Sequence, residues 1–153
     1  MPLPKQIAFL VNDVARLMRR KFDQRCQTIG LTRAQWQVLA YVGRNEGTNQ
    51  AGLAEFMEIE PITLSRHLDR MQASGIVERR QDPSDRRAYQ LFLTDAGKEQ
   101  LASIRALGAV ALEEVLAGIP QADVEKLVET LMVMRSNLSN RTEEASREER
   151  IAS

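Results

Sequence analysis

The stretch that decides the fold covers residues 61–87 and reads PITLSRHLDRMQASGIVERRQDPSDRR. Pro61 stands where a helix can begin: its fixed φ suits the first turn, and the N–H it lacks would have had no partner there. Leu64, Leu68 and Met71 then recur at helical spacing, and Ser74-Gly75 closes the segment. Its polar positions hold Thr63, Ser65, Arg66, His67 and Arg70, short hydroxyls beside long cationic donors. The second half changes period. A strand is expected over 76–80, then a charged turn, then a strand from Tyr89, where Tyr89, Leu91 and Leu93 alternate with Gln90, Phe92 and Thr94. A helix showing hydroxyls and arginines, followed by a hairpin tipped with two more arginines, suits a nucleic-acid groove and its phosphate backbone.

Towards the N-terminus, Thr32 and Gln35 have capping-box spacing and open a helix carrying Trp36, Leu39, Ala40 and Val42, which stops near Gly43. Residues 46–49 read as a turn, with Thr48 or Asn49 capping a short helix over 50–57. Glu58-Ile59-Glu60 join it to the helix at Pro61, which is the helix-turn-helix layout. Before this, a long helix over 5–29 carries Ile7, Leu10, Val11, Val14, Leu17, Met18 and Phe22 as a stripe and ends at Gly30. Arg16, Arg19, Arg20, Lys21 and Arg25 lie largely off that stripe, as a solvated face would.

Towards the C-terminus, Thr94-Asp95 cap a long helix over 96–116, Gly118-Ile119-Pro120 break it, and a last amphipathic helix starts near Gln121. The order α-α-α-α-β-β-α-α is mainly helical with a small β-hairpin. The middle is too small to bury the three long apolar stripes. They are therefore expected to bury one another and a second copy, in a symmetric dimer.

Composition narrows the class. The chain has 153 residues, 43% hydrophobic and 27% charged, with one cysteine and one histidine. No run approaches a membrane span, no cleavable leader is expected, and the lone cysteine fits a reducing cytoplasm. Formal net charge is zero, from 21 basic and 21 acidic residues, which counts against nucleic acid as a partner. The charge is uneven, however. Residues 1–29 hold six Lys/Arg against two Asp/Glu, whereas residues 95–153 hold seven against eleven. No nucleophile elbow, phosphate loop or metal-ligand spacing is present, so neither an enzyme nor a cofactor or metal is expected.

The phrases LTRAQWQVL, AGLAEFMEIEPITLSRHLDRMQASGIVERR and DPSDRRAYQLFLTDAGKEQL resemble the MarR family of bacterial transcriptional regulators, and within it the SlyA-like branch. The likeness covers residues 30–101 in motif detail and the flanking helices in pattern. It implies a winged helix-turn-helix over 31–96, a helical dimerisation region over 1–30 and 97–147, and a tail over 148–153. The implied protein is a homodimer in the bacterial cytosol, associated with the nucleoid. It would be a repressor binding double-stranded DNA at a pseudo-palindromic operator and released by a small aromatic or anionic effector. A SlyA-like activator that displaces a silencing protein fits the same residues, and so does a redox sensor acting through Cys26.

The resemblance places the helix at Pro61 in the major groove and the wing over 82–87 in the minor groove. Pro61, Thr63, Ser65, Arg66 and Arg70 are then the major-groove candidates, with Arg66 able to fork onto a guanine. The wing candidates are Arg86, Arg87 and Asp85, the last holding an arginine through a bidentate pair. Arg79, Arg80 and Thr48 are assigned to the DNA backbone. Each assignment has a plainer alternative: Arg66 paired on the surface with Asp69 or Asp82, or a charged hairpin that merely blunts a sheet edge. His67 reads as an ordinary helix-surface residue. Arg16, Met18, Arg20, Phe22, Trp36 and Leu39 are candidates for an effector cavity, or simply for core. Arg25 and Lys21 would favour a Cys26 thiolate, although the family's peroxide sensors carry their cysteine nearer the chain start.

Overall fold

A computed structural model of the chain describes residues 3–151, with side chains at residue 3 and at 5–139. Residues 1, 2, 152 and 153, which belong to the expected dimerisation region and tail, lie outside the described residues, as do the side chains beyond 139. The elements are α1 (Leu3–Thr28), α2 (Arg33–Val42), β1 (Thr48–Asn49), α3 (Gln50–Met57), α4 (Pro61–Ala73), β2 (Val77–Gln81), β3 (Tyr89–Leu93), α5 (Asp95–Leu116) and α6 (Gln121–Ile151). They divide into two compact units, residues 1–112 and 113–153.

In the first unit the helix boundaries follow from local chemistry. Thr32 accepts from the Gln35 N–H while Gln35 Oε1 accepts from the Thr32 N–H at 2.9 Å, closing the expected capping box on α2. Helix α3 is capped by Asn49, whose Oδ1 accepts from Gly52 N at 2.8 Å. Glu58 stops α3 in the left-handed conformation, at φ 52°, and turns the chain into α4. Pro61 opens α4 with no side-chain cap, and Gly75 at φ 70° ends the turn that follows it.

The sheet has one strand more than the hairpin that the sequence suggests. Thr48 pairs with Leu91 and Asn49 with Gln90, so β1 lies on the far side of β3 from β2, and the order is β1-β3-β2. Strands β2 and β3 pair antiparallel from Val77↔Leu93 to Gln81↔Tyr89. Two residues are too few to show a period of two, and Asn49 belongs at once to the strand and to the α3 cap. The core lies beneath these elements, where Leu39, Leu53, Leu64, Leu68 and Leu91 are fully buried. Leu64, Leu68 and Met71 turn one side of α4 onto it.

Helix α5 enters against the sheet. Thr94 Oγ1 accepts from Gly97 N at 3.1 Å and donates to Gly75 O at 2.6 Å. Any Cβ at Gly97 would collide with the Ile76 carbonyl oxygen, so the glycine allows the close approach. In the second unit, α6 follows Gly118 and Pro120 and runs on through 148–151, the start of the expected tail. Its side chains over 121–139 are exposed or half-buried, with Leu127, Val128, Leu131, Met132 and Val133 among the exposed.

Candidate nucleic-acid interface

On α4, residues two apart lie about 200° apart around the axis. Thr63 and Ser65 therefore leave on opposite flanks and do not share the single polar face that the sequence suggests. Thr63 is exposed, whereas Ser65 is half-buried and its carbonyl accepts from Arg79 Nη2 at 3.2 Å. Arg66 stands opposite the buried leucines, exposed, with no hydrogen bond or ion pair among the described residues. Neither of its alternative partners takes it: Asp69 binds Arg79, and Asp82 is engaged within the wing. Pro61 and Arg70 are also exposed. Arg70 donates from Nη2 to His67 Nδ1 at 3.0 Å, which makes Nε2 the protonated ring nitrogen. Burial and the Arg70 charge push the His67 imidazolium down, so the ring stays neutral, consistent with an ordinary helix-surface residue.

Arg79 is placed otherwise than a phosphate contact requires. Its side chain is only 15% exposed. Nε donates to Gln50 Oε1 at 3.0 Å, and Nη1 donates to Asp69 Oδ1 at 2.6 Å and to Gln72 Oε1 at 3.2 Å. One guanidinium thus ties β2 to α3 and α4. Arg80 is exposed, paired with Glu78, and lies 4.2 Å from the Phe92 ring centroid. Thr48 is half-buried in β1, its backbone in the ladder to Leu91.

The wing is built by carboxylates that satisfy backbone N–H groups. Asp82 Oδ1 accepts from Ser84 Oγ at 2.6 Å and from Ser84 N at 2.8 Å, and Oδ2 accepts from Gln90 Nε2 at 3.2 Å. The Ser84 hydroxyl and then its backbone N–H hold the Asp82 carboxyl below the usual carboxylate range. Asp85 departs from the expected role: Oδ1 accepts from the backbone N–H of Arg87 at 2.9 Å, and the carboxylate pairs with no guanidinium among the described residues. A short side chain in a tight turn reaches the amide two residues on more readily than a side chain pointing away. The side chains of Arg86 and Arg87 remain exposed and unpaired among the described residues. The signal for this turn was present as Asp-Pro-Ser-Asp, a turn opener followed by proline and a second carboxylate.

A cavity of about 610 Å³ lies in the same unit, lined by Arg19, Phe22, Trp36, Arg44, Glu58, Ile104 and Arg105 among others. Of the expected residues, Phe22 and Trp36 form its wall, their rings edge to face at 4.8 Å. Arg16, Met18, Arg20 and Leu39 do not line it. Leu39 is wholly core, Arg16 pairs with Asp13, and Arg20 lies two positions from Phe22, on another side of α1. Arg19, three positions from Phe22, shares its side instead. Trp36 is oriented by Asp23, whose Oδ1 accepts from Nε1 at 2.8 Å while Oδ2 pairs with Arg33. Burial raises the Asp23 carboxyl, but hydrogen bonds from Arg33 and Trp36 outweigh it and hold the group below its ordinary value. Cys26 is fully buried, and burial followed by the Asp23 charge pushes its thiol up, opposite to the expected effect of Arg25 and Lys21. No group of metal-ligating side chains occurs among the described residues, and no helix there is long and apolar enough to cross a membrane.

Comparison with known proteins gives the lineage of this lobe. The family model described as MarR family matches residues 29–88. The crystal structure of the transcriptional regulator PA3341 is 31% identical, covers 88% of this chain and 98% of its own, and superposes with a TM-score of 0.77. The chain belongs to the MarR family. A crystal structure of the transcriptional regulator SlyA matches this MarR-family chain at 25% identity over 88% of it and 94% of SlyA, with a TM-score of 0.73. The HTH-type transcriptional regulator YdgJ of Bacillus subtilis (strain 168) is 25% identical over 135 residues, 88% of this chain and 80% of YdgJ. SlyA stands no nearer than YdgJ, so these matches support the family and not the SlyA-like branch. The MarR family and these relatives are transcriptional regulators, not enzymes, and a MarR-type winged helix-turn-helix accounts for the fold from α2 to β3.

Proposed function

We propose that the chain acts as a homodimeric repressor that binds a pseudo-palindromic DNA operator and leaves it when a small aromatic anion binds. Helix α4 enters the major groove with Arg66 on a guanine, while Arg86 at the wing tip reaches the neighbouring minor groove, with Arg87 beside it. One observation carries the reading. Arg66, Arg86 and Arg87 are exposed and unpaired among the described residues, while the nearby Arg79 and Arg80 are held by partners within the lobe. Guanidinium groups left without partners at a helix face and a hairpin tip suit base edges and a narrow groove. For the effector, the cavity pairs three aromatic rings with three arginines and one glutamate, a balance favouring an aromatic carboxylate. An effector binding better to a dimer with the wrong lobe spacing would shift the population off DNA by no more than its differential affinity.

The test is a mobility shift on the DNA upstream of the chain's own coding region, at rising salt. Arg66→Ala should cost about 1–3 kcal/mol and relax the preference at its base pair. Arg86→Ala should weaken all sequences and lower the salt slope by about one. Folded protein that gives no specific shift defeats the reading.

A further inference from the structure

Ile62 is 63% exposed at the second position of α4. Nothing in the fold accounts for it there. A β-branched residue forms helix less readily than alanine, and this one adds little to the core that Leu64, Leu68 and Met71 build on the other side. It precedes Arg66 by four positions, so the two side chains neighbour each other on the face turned furthest from the core. Thr63 and Ser65, two positions apart, cannot both share that face. An isoleucine and a free arginine side by side therefore form the outermost part of α4, near the end that enters a groove first in helix-turn-helix proteins.

We infer that Ile62 is a specificity-determining residue that packs on a thymine C5-methyl group in the major groove, next to the guanine taken by Arg66. The inference rests on the proposed DNA-binding function. It follows from what the groove offers: the thymine methyl is the one apolar group a base edge presents there, and aliphatic side chains read it by contact. Burying Ile62 on that methyl removes from water an apolar surface that the fold leaves wet. Each half-site should then contain a thymine within a base pair or two of a guanine, and reversal of that A·T pair should be poorly tolerated.

The probe is duplex DNA enriched from a random pool by the full-length wild-type chain, with each thymine then replaced singly by deoxyuridine, which removes only the methyl group. Wild-type protein should lose about four-fold in affinity at one thymine per half-site, the equivalent of one buried methyl. Ile62→Ala should bind the thymine and uridine duplexes equally and should keep its melting temperature, because the side chain is not part of the core. Ile62→Val should keep most of the discrimination. Enrichment of a sequence with no methyl-sensitive thymine overturns the inference and leaves the regulator reading intact, as does Ile62→Ala that still discriminates. Unchanged DNA binding by Ile62→Ala would likewise overturn it. Failure of the wild-type chain to enrich any duplex overturns the regulator reading, and this inference with it.

Discussion

At Asp23 one carboxylate fixes two groups of α2, accepting from Trp36 and pairing with Arg33. Its folded carboxyl titrates below its ordinary value of 3.8. The stabilisation it brings is therefore complete above that value and is lost as pH falls through the lower, folded one. Asp23→Asn should cost about 1–2 kcal/mol at neutral pH. In urea unfolding, the gap between wild type and variant should close as the solution is acidified below about pH 4; a pH-independent gap would mean that charge plays no part. Trp36 is the one tryptophan and lines the cavity, so its emission reports on that site. Titration with benzoate should quench it in wild type and at least ten-fold less sensitively in Arg105→Ala, the loss expected for one charge-assisted contact of about 1.4 kcal/mol or more. Equal titration curves would remove Arg105 from the site. At this scale the sequence was a partial guide. Phe22 and Trp36 could be picked out from their neighbourhood, but whether Arg16, Arg19 or Arg20 faced them depended on a rotation about α1 that a composition argument does not fix.

Among the elements, helices were legible wherever apolar residues repeat over several turns, and the Thr32–Gln35 box announced its helix outright. Strand β1 was not legible, because two residues carry no period and its pairing with Leu91 is made at a distance of forty-odd positions. Arg79 was misplaced for a similar reason: its neighbours in sequence, Glu78 and Arg80, suggest a solvated charged run, while its partners Gln50 and Asp69 come from other helices. This guanidinium sets α4 against β2 and α3. Arg79→Ala should destabilise the fold by about 1–3 kcal/mol, since it strips partners from half-buried acceptors. It should also weaken DNA binding while leaving the salt slope at its wild-type value. Denaturant melts and binding isotherms at several salt concentrations measure both. A slope reduced by about 0.9 with unaltered stability would instead make Arg79 a phosphate contact.

For the whole molecule, apolar residues on α1, among them Ile7, Leu10, Val14 and Leu17, recur at helical spacing and each leaves about half of its surface exposed. A stripe of that length left in water belongs to an interface, and the proposed dimer would cover it. Val14→Glu combined with Leu10→Glu should weaken self-association at least ten-fold, about 1.4 kcal/mol, as read by sedimentation, and abolish two-half-site DNA binding. An unchanged sedimenting mass would refute the dimer through this face. The wing has one more consequence at this scale. Asp82 and Asp85 turn inward to the loop's own amides while Arg86 and Arg87 point outward. The tip is therefore a dipole on a chain of zero formal charge. A dipole's potential decays faster with distance than a net charge's, so the arginines act mainly at touching range. For the proposed regulator this predicts weak attraction to arbitrary duplex and few unproductive stops on the way to its operator, so bulk DNA should sequester little of it.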